Sequence, residues 1–596
     1  MQLAPPGAVS LGGILGEAVE ANRLGRLSRF IVDENSPAIA IFAPDAVATN
    51  DQGDWYGEHA GKWLIAATKA AQRANDTVLL ARVRQVADWL IARQDADGYL
   101  GNYAPARRFM HKQPAKLPTW NGEPTLRTWD IWTHSYLMLG LIEVHRATDE
   151  PAYLDAARRI GDLCWRTLTS GIAITEVGNH FGLSASILLD PVIELHSVTN
   201  DARYLDLALL IIDQMEADPG NRLLGQALAG ADPSEIATGK AYQLLWNMVA
   251  IAKLYRATGD QRYLTAALNF WQAVRDRHLT LGGGPWGGVA HRSREVFNAA
   301  GTFDPEAYVE TCSTMAWIQL NRELLTITAE ARFAEEIERS AYNDLLGAQA
   351  PDGEDWCYYS FANGRRIHTT YWRCCKSSGA MALEELASVA YGVTAAGEIA
   401  INLLGPSDAR ISVPGVGTVR IAQRTDYPFT GELEIAVDAG GATVPLLLRV
   451  PEWAQGARIE GSDTVLEPGR YTRIETDGVV RIVLAMVPCL HSRAARNVQE
   501  SLAPDGSAVE QEVLRHDYVA LTKGPLVYAT GLVDGYKTSE TVRLGENPVR
   551  DVSDGTILLS PRDRAPLAFE PYYRAGGRTH GAWRLTWLRL PPEEAA

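Results

Sequence analysis

Three cysteines and one glutamate form the most concentrated chemical signal in the sequence. Glu310 and Cys312 belong to the tripeptide Glu-Thr-Cys, and the adjacent pair Cys374 and Cys375 begins 62 residues after Cys312. Thiolate sulfurs at about 2.3 Å and a carboxylate oxygen at about 2.0–2.2 Å satisfy a tetrahedral Zn²⁺ ion, so these residues predict one zinc site. Glu310 and Cys312 would point to different faces of a regular helix, so we expect a loop or a helix start there.

The same cysteines also have an interpretation that involves no metal. Cys312 precedes the apolar segment STMAWIQLNRELL and could be a small core residue, while the adjacent pair could be incidental or a vicinal disulfide. Against this, Arg373, Lys376 and Ser377 flank the pair in YWRCCKSSG, and such a polar neighbourhood favours a thiolate. The residues alone leave both interpretations open.

Three glutamates follow the glycine-rich segment LGGGPWGG, namely Glu295, Glu306 and Glu310. Cleavage of a glycosidic bond needs a proton donor for the leaving oxygen and a group that captures the developing oxocarbenium ion. Carboxylates commonly fill both roles, but a metal-bound thiolate could replace the capturing carboxylate because sulfur attacks carbon well. Glycoside hydrolysis is therefore one chemistry that these residues could perform.

The composition bounds the class of protein. Of 596 residues, 46% are apolar and 21% are charged, so two or three buried cores are expected. A formal net charge of -16 disfavours nucleic acid as a partner. The sequence begins without a basic segment followed by an apolar run and contains no window of about 18 apolar residues, so we expect a cytoplasmic protein that does not enter a membrane. A homodimer is compatible with these features.

The first two-thirds of the chain has a helical period. From about residue 55 to residue 393, apolar residues recur three and four positions apart. Within this region a threonine stands five positions before an aromatic residue at Thr148, Thr199, Thr258 and Thr328. We expect one helix to end and a second to begin at each of these sites. Because the units are irregularly spaced, a closed (α/α)6 barrel is our first choice and a helical solenoid our second.

After about Gly397 the pattern changes to short alternating segments such as ARISVPG and ELEIAVDA, which indicate strands of a β-sandwich. Strand-like segments continue in DYVALTKGPLVYATGL and in the tail. The predicted fold is therefore a mainly α N-terminal (α/α)6 barrel followed by one or more all-β C-terminal β-sandwich domains. The predicted limits are residues 1–396 for the barrel, 397–510 for a β-sandwich domain, and 511–596 for a second sandwich or the completion of the first.

Together these motifs resemble glycoside hydrolase family 127 and the related family 146, the retaining β-L-arabinofuranosidases built on an (α/α)6 barrel with β-sandwich domains. The resemblance extends over most of the chain, from WYGEHAGKWL and QDADGYLGNY, through the Glu-Thr-Cys and Cys-Cys motifs, to VPLLLRVPEWA and KGPLVYATG. It implies a retaining exo-hydrolase that removes an L-arabinofuranose-like sugar from the end of an oligosaccharide or glycoconjugate.

The resemblance also implies roles for individual residues. A Zn²⁺ cofactor would be bound by the four side chains of the two motifs, namely Glu310, Cys312, Cys374 and Cys375. Cys374 would also be the nucleophile. Glu295 is the best match to the acid/base glutamate, at a spacing that suggests one deleted residue, and Glu306 is a weaker candidate. The sugar would contact His134, His180, Lys240, Glu338 and Tyr358.

Some of these positions have a plain structural alternative. His134 could be a satisfied core histidine, and Glu338 could be a solvated helix charge. Tyr359 could exchange roles with Tyr358, because neighbouring residues of an alternating segment face opposite sides.

The sequence departs from the family pattern at two places. Lys376 and Ser377 follow the cysteine pair where the family usually has prolines, and Lys240 stands where the family has a histidine. Lysine is a compact cation that pairs with carboxylates, so a substrate with an acidic group is one hypothesis. Two rival functions stay open: a glycosidase with a structural zinc and Glu310 as nucleophile, and a non-catalytic carbohydrate-binding protein with this fold.

Overall fold

The structure is a computed structural model that describes residues 1–50, 55–112, 128–287, 295–369, 374–552 and 555–592. The described helices are α1 Gly13–Asn22, α2 Pro37–Ala40, α3 Pro44–Thr49, α4 Glu58–Ala74, α5 Thr77–Ile91, α6 Asp130–Thr148, α7 Pro151–Thr169, α8 Leu183–Ser186, α9 Leu189–Thr199, α10 Ala202–Ala217, α11 Leu223–Leu228, α12 Ala241–Thr258, α13 Gln261–Arg277, α14 Thr311–Thr328, α15 Ala331–Ser340, α16 Leu346–Ala348 and α17 Cys374–Ala390. Among these helices, none pairs the length with the apolar content that crossing a bilayer requires.

The helices form two concentric layers. The inner helices α4, α6, α9, α12, α14 and α17 each pack against the next, and α17 packs back against α4, which closes the ring. The helices α5, α7, α10, α13 and α15 pack outside their inner partners, and α1 lies against α17. The predicted (α/α)6 barrel is therefore confirmed, and the open solenoid is not the architecture. The inner helices are buried on nearly every face, which explains why their apolar residues are not confined to one stripe.

The repeated threonines mark the ends of inner helices. In α6, α9, α12 and α14 the last residue is a threonine whose hydroxyl donates to the carbonyl four residues earlier. The next residue adopts the left-handed conformation that ends a helix, at Asp149, Asn200, Gly259 and Ala329. The aromatic residue of each unit is then buried in the following outer helix. The sequence repeat is thus the turn from the inner to the outer layer.

The described strands are β1 Gln2–Leu3, β2 Val9–Leu11, β3 Tyr308–Glu310, β4 Trp356–Cys357, β5 Tyr359–Phe361, β6 Asn363–Arg365, β7 His368–Thr369, β8 Tyr391–Val393, β9 Ile399–Ile401, β10 Ser407–Val413, β11 Gly417–Thr425, β12 Glu432–Asp438, β13 Val444–Val450, β14 Arg458–Ile459, β15 Arg470–Thr476, β16 Val479–Val483, β17 Pro488–Leu502, β18 Ala508–Lys523, β19 Leu526–Ala529, β20 Leu544–Asp551, β21 Ile557–Pro561, β22 Leu567–Pro571, β23 Trp583–Leu585 and β24 Leu588–Arg589.

Two sheets follow the barrel and form the predicted sandwich. One has the strand order β1-β8-β9-β13-β15 and the other β14-β16-β12-β11-β10-β2. In β10, buried and exposed residues alternate strictly, as expected for a sheet with one face on a core. The N-terminal strands β1 and β2 each extend one of these sheets.

A third sheet, ordered β17-β18-β19-β22-β21-β20, uses the C-terminal strands, and β24 pairs with β18. The predicted limit at residue 510 falls within strand β18, and the division of this region into domains stays a prediction. Strand β23 returns to the barrel, where it pairs with β6.

Candidate active site and metal centre

The four predicted metal ligands meet at one point inside the barrel. Their ligand atoms, three sulfurs and one carboxylate oxygen, all lie within 4.8 Å of one another. Cys312 Sγ is 3.2 Å from Cys375 Sγ, and Cys375 Sγ is 3.8 Å from Glu310 Oε1. All six cysteines of the chain are free, so the vicinal disulfide considered above does not form. We call these four side chains the Cys3Glu cluster.

The cluster lies at the first turns of two inner helices. Glu310 is the last residue of β3 and precedes α14, so Glu310 and Cys312 stand at the predicted helix start and can face the same point. Cys374 and Cys375 are the first two residues of α17. Because the amide groups at a helix N-terminus carry partial positive charge, this position favours thiolates.

Burial and mutual hydrogen bonding determine which ligand carries charge. Hydrogen bonds from Cys312 and Cys375 hold the pKa of Cys374 well below its usual value. Burial raises the pKa of Cys312 and of Cys375. Burial also raises the pKa of Glu310, and repulsion from Glu295 adds to that effect. Of the three cysteines in the cluster, Cys374 is therefore the one that the surrounding groups most favour as a thiolate.

The donor set fits a divalent cation. Four buried ligand atoms within 4.8 Å of one another would be costly as unpaired anions, and a cation between them removes that cost. Three sulfurs and one carboxylate oxygen suit zinc better than calcium or magnesium, which prefer oxygen alone. The cluster could therefore hold a metal ion such as zinc.

Glu295, the predicted acid/base residue, is held beside Cys374 by three side chains. The hydroxyl groups of Tyr358 and Tyr359 donate to Glu295 Oε1 at 2.8 Å and 2.7 Å. The ammonium group of Lys240 forms an ion pair with Glu295 Oε2. Tyr358 Oη also lies 3.4 Å from Cys374 Sγ. Both tyrosines thus contact Glu295, and Tyr358 alone joins it to the cysteine.

The backbone also fixes Glu295. Its φ of 59° lies in the left-handed region, which a non-glycine residue adopts at a cost of about 1–2 kcal/mol. Its amide donates to Tyr308 Oη at 2.9 Å, and its carbonyl accepts from the Ala241 amide at 2.9 Å. These contacts hold the strained residue in place, as is common at functional sites.

His180 lies near the same ion pair. Its Nδ1 is 3.0 Å from Thr238 Oγ1. Burial, aided by the charge of Lys240, lowers the pKa of His180 well below its usual value, so the imidazole is neutral. The structure therefore brings His180, Lys240, Glu295 and Tyr358 to one side of the Cys3Glu cluster.

His134 occupies a different environment. Its Nε2 accepts from the Leu100 amide at 3.1 Å, and its Nδ1 lies 2.7 Å from the Asp130 carbonyl oxygen. The ring also packs against Tyr99 and Phe109. Because the protein uses both ring nitrogens, these contacts match the alternative of a satisfied core histidine.

Glu338 does not lie with the other predicted sugar contacts beside the cluster. It lies on the outer helix α15 and forms an ion pair with Arg449 of the sandwich. It also accepts from the Tyr427 hydroxyl at 2.8 Å and from the Leu404 amide at 3.1 Å. Glu338 is fully buried, so the alternative of a solvated charge is wrong. The helical spacing of the sequence could not show whether the face of α15 that carries Glu338 meets solvent or a later domain.

Three neighbouring positions complete the comparison with the sequence prediction. Glu306 is exposed on the surface, which leaves Glu295 as the acid/base candidate. Lys376 forms an ion pair with Asp355. Arg373 lies outside the described residues.

Sequence reasoning missed the groups beneath the cluster. Ser378 Oγ lies 3.2 Å from Cys312 Sγ, and Lys62 Nζ lies 3.0 Å from Ser378 Oγ. Glu58 pairs with Lys62 at 3.1 Å, and both side chains are fully buried. Burial raises the pKa of Glu58 to about 7. The i,i+4 spacing of Glu58 and Lys62 in WYGEHAGKWL was the available signal. It did not single the pair out, because ordinary ion pairs on a helix surface have the same spacing.

The family models match this architecture. The model for the β-L-arabinofuranosidase GH127 catalytic domain matches residues 21–388, and that for the GH127 middle domain matches residues 398–480. The chain belongs to glycoside hydrolase family 127. The catalytic model covers the barrel together with the whole Cys3Glu cluster, and the middle-domain model covers most of the sandwich.

Individual relatives agree with this family. The chain is 21% identical over 517 residues to a non-reducing end β-L-arabinofuranosidase of Bifidobacterium longum, which covers 79% of this chain and 75% of that protein. A solved GH127 β-L-arabinofuranosidase from Geobacillus stearothermophilus T6 has a TM-score of 0.74 at 20% identity, over 98% of this chain and 100% of that one. A solved GH127 β-arabinofuranosidase has a TM-score of 0.77 at 18% identity, over 99% and 98% of the two chains. At this identity the solved structures establish the fold.

Proposed function

We propose that this family 127 glycosidase is a zinc-dependent, retaining exo-hydrolase that removes a terminal L-arabinofuranose-like sugar from an oligosaccharide or glycoconjugate. In this proposal Cys374 is the nucleophile and Glu295 is the acid/base residue. The Bifidobacterium relative is a non-reducing end β-L-arabinofuranosidase, which supports the sugar class, and the side chains around Cys374 support the chemistry.

One observation carries the mechanism. Tyr358 Oη is 3.4 Å from Cys374 Sγ and 2.8 Å from Glu295 Oε1, so a single hydroxyl separates the sulfur from the carboxylate. Their separation cannot exceed the sum of these two distances. That limit is only slightly greater than the spacing of about 5–5.5 Å between the two carboxyl groups of retaining glycosidases. A nucleophile and an acid at this spacing can act on opposite sides of one glycosidic bond.

The proposed reaction has two steps. The Glu295 carboxyl group protonates the leaving oxygen while Cys374 Sγ attacks the anomeric carbon, which breaks the C–O bond and forms a C–S bond. The Glu295 carboxylate then removes a proton from water, and the water oxygen displaces the sulfur. Two inversions return the original anomeric configuration. Lys240, Tyr358 and Tyr359 hold the carboxylate in place during both steps.

A metal ion bound by Glu310, Cys312, Cys374 and Cys375 would keep the sulfurs ionised at neutral pH. Through that ion, Glu310, Cys312 and Cys375 would fix the position of the Cys374 sulfur beside Glu295. Helix α17 supports this arrangement because its first turn carries both Cys374 and Cys375.

The test is Cys374→Ser with an aryl β-L-arabinofuranoside as substrate. We expect activity to fall by at least about 10³-fold, because a serine hydroxyl is a far weaker nucleophile at neutral pH. Cys164→Ala is the matched control, because Cys164 is also a buried free cysteine but lies on helix α7. Zinc content is measured for each variant, and NMR of the first product identifies its anomer. Near-normal turnover by Cys374→Ser, or an inverted product, would contradict the mechanism.

Two rival functions make different predictions. If zinc is structural and Glu310 is the nucleophile, Cys374→Ser stays active while Glu310→Gln does not. If the protein only binds carbohydrate, the wild type binds sugar but hydrolyses none of the aryl glycosides.

The acidic-substrate hypothesis concerns Lys240. Its ammonium group is engaged by Glu295, which favours a role in holding the acid/base residue over recognition of a substrate carboxylate. Comparison of neutral and uronic-type glycosides with the wild type and Lys240→His tests this. A preference of the wild type for the uronic-type glycoside that Lys240→His loses would support an acidic substrate. Cytoplasmic location and a homodimer stay predictions.

A further inference from the structure

A buried row of polar side chains leads from helix α4 to the Cys3Glu cluster. Glu58 Oε2 lies 3.1 Å from Lys62 Nζ, which lies 3.0 Å from Ser378 Oγ. Ser378 Oγ lies 3.2 Å from the sulfur of Cys312. All four side chains are almost completely buried, so water does not compete for these contacts at either end. This row of side chains joins helices α4 and α17 to helix α14.

The chemistry of the groups fixes the direction of each hydrogen bond. A lysine ammonium group can only donate, so Ser378 Oγ accepts from Lys62. A serine hydroxyl has a single proton, and the contact with Lys62 leaves that proton available. In the structure the thiol of Cys312 donates to Ser378 Oγ. Once a metal ion replaces the thiol proton, the sulfur can only accept, and the serine hydroxyl, which rotates about its C–O bond, can turn its own proton toward the sulfur.

We propose that Ser378, oriented by Lys62, is a positioning residue that donates a hydrogen bond to the Cys312 thiolate and so fixes this sulfur for metal binding. The inference rests on the proposed function, because it requires that the Cys3Glu cluster holds a metal ion. Outer partners of metal ligands commonly orient the ligand and tune its basicity, and their loss costs about 10–100-fold in affinity or activity.

The surroundings of Lys62 support this role. Its ammonium group lies 4.6 Å from the ring centre of Tyr136 and 5.2 Å from that of Tyr242, so aromatic faces enclose it on the sides without a hydrogen-bond partner. Burial by itself would lower the pKa of Lys62, but the adjacent Glu58 carboxylate raises it above its usual value, so the group stays a donor. The Lys62 side chain therefore has few orientations available, and its hydrogen bond to Ser378 Oγ restricts the orientation of the serine hydroxyl as well.

The neighbouring serine provides a matched control. Ser377 Oγ lies 2.7 Å from His59 Nδ1 and 3.5 Å from Arg26 Nη2. Ser377 and Ser378 are both buried near the start of α17, and each loses one hydroxyl group on replacement by alanine. Only Ser378 has a recorded contact with a cluster sulfur. A difference between the two alanine variants therefore reports on the sulfur contact.

The experiment measures zinc binding by competition with a chromophoric chelator, and the charge-transfer bands of the Co²⁺-substituted protein. We expect Ser378→Ala to weaken zinc binding about 10–100-fold. Its Co²⁺–thiolate bands should move to longer wavelength, because a sulfur that loses a hydrogen-bond donor gives up its electrons more readily. Ser377→Ala should match the wild type in both measurements.

A second variant guards against a folding defect in Ser378→Ala. The double variant Glu58→Gln/Lys62→Met keeps Ser378 and removes both charges together, and its Co²⁺ bands should move in the same direction. If the wild type binds one metal ion and Ser378→Ala has unchanged affinity and bands, the positioning role is wrong while the proposed function stands. If the wild type is fully active without bound metal, the zinc dependence in the proposed function is wrong, and the inference falls with it.

Discussion

At the scale of single residues, Tyr358 and Tyr359 bind the same carboxylate oxygen but differ in their other contacts. Both hydroxyl groups donate to Glu295 Oε1, but only Tyr358 also contacts Cys374. A hydrogen bond to a charged group contributes about 1.5–3 kcal/mol. Tyr358→Phe should therefore lower kcat/KM by about 10–100-fold or more, because it loses contacts to both reacting side chains.

The adjacent variant Tyr359→Phe is the control for this prediction. It removes one hydrogen bond to Glu295 and leaves the contact with Cys374 intact, so its loss in kcat/KM should be the smaller of the two. Steady-state kinetics on one aryl glycoside checks both variants. Equal losses, or a greater loss in Tyr359→Phe, would contradict the bridging role of Tyr358.

The sequence was enough to bring out the residues of the Cys3Glu cluster but not the groups that support them. The cluster residues have distinctive types and spacing, so Cys312 and Cys374 could be singled out without a structure. The partners of Glu338 could not, because Arg449 lies more than a hundred positions later and on another domain. The role of Ser378 could not be predicted either, because its partner Lys62 comes from the opposite end of the barrel sequence.

At the scale of elements, the turns between inner and outer helices offer a paired test. Gly259 and Ala329 occupy the same left-handed position after α12 and α14, with φ values of 74° and 55°. A side chain in this conformation costs about 1–2 kcal/mol, partly offset by the greater freedom of glycine in the unfolded chain. Gly259→Ala should therefore destabilise the protein by about 1 kcal/mol, and Ala329→Gly should stabilise it by a similar amount.

The same turns show what periodicity could predict. The threonine repeat located the layer changes because each inner helix ends with the same local hydrogen bond. A Cβ at Gly259 would meet nothing within 4 Å, so the effect of Gly259→Ala comes from the backbone alone. Opposite shifts in Tm for the two variants are the expected result, and shifts of the same sign would show that packing dominates. Strands as short as β1 and β2 carry too few residues for a period, so their place in the sandwich could not be predicted.

At the scale of the whole molecule, buried ion pairs link inner helices toward the end of the barrel that is remote from the Cys3Glu cluster. Arg322 and Glu385, in the C-terminal halves of α14 and α17, pair at 2.6 Å. Lys253, in the C-terminal half of α12, pairs at 2.5 Å with Asp190 near the start of the shorter helix α9. The cluster lies at the N-terminal ends of α14 and α17. These ion pairs therefore lie toward one end of the inner ring, and the Cys3Glu cluster lies at the other.

A further buried ion-pair network joins the barrel to the sandwich. Arg449 on β13 is fully buried, and its guanidinium group pairs with Glu335 at 2.5 Å and also with Glu338, both on α15. Its Nε donates to the Asn402 carbonyl at 2.6 Å. Burial raises the pKa of Glu335 to about 7. Arg449 is thus the cation that makes two buried carboxyl groups tolerable at the domain contact.

Replacement of this arginine should destabilise the domain contact strongly. Arg449→Met would leave Glu335 and Glu338 without their cation, and breaking a buried pair in this way costs about 3–5 kcal/mol. Arg481→Met is the control, because Arg481 pairs with Glu434 at 2.9 Å on the exposed face of the same sandwich and should contribute about 0–1 kcal/mol. Calorimetric unfolding of both variants measures the difference. Adding Glu335→Gln and Glu338→Gln to Arg449→Met should recover part of the loss, because the uncompensated charges are then removed. Equal Tm values for Arg449→Met and Arg481→Met would show that this network does not hold the barrel and the sandwich together.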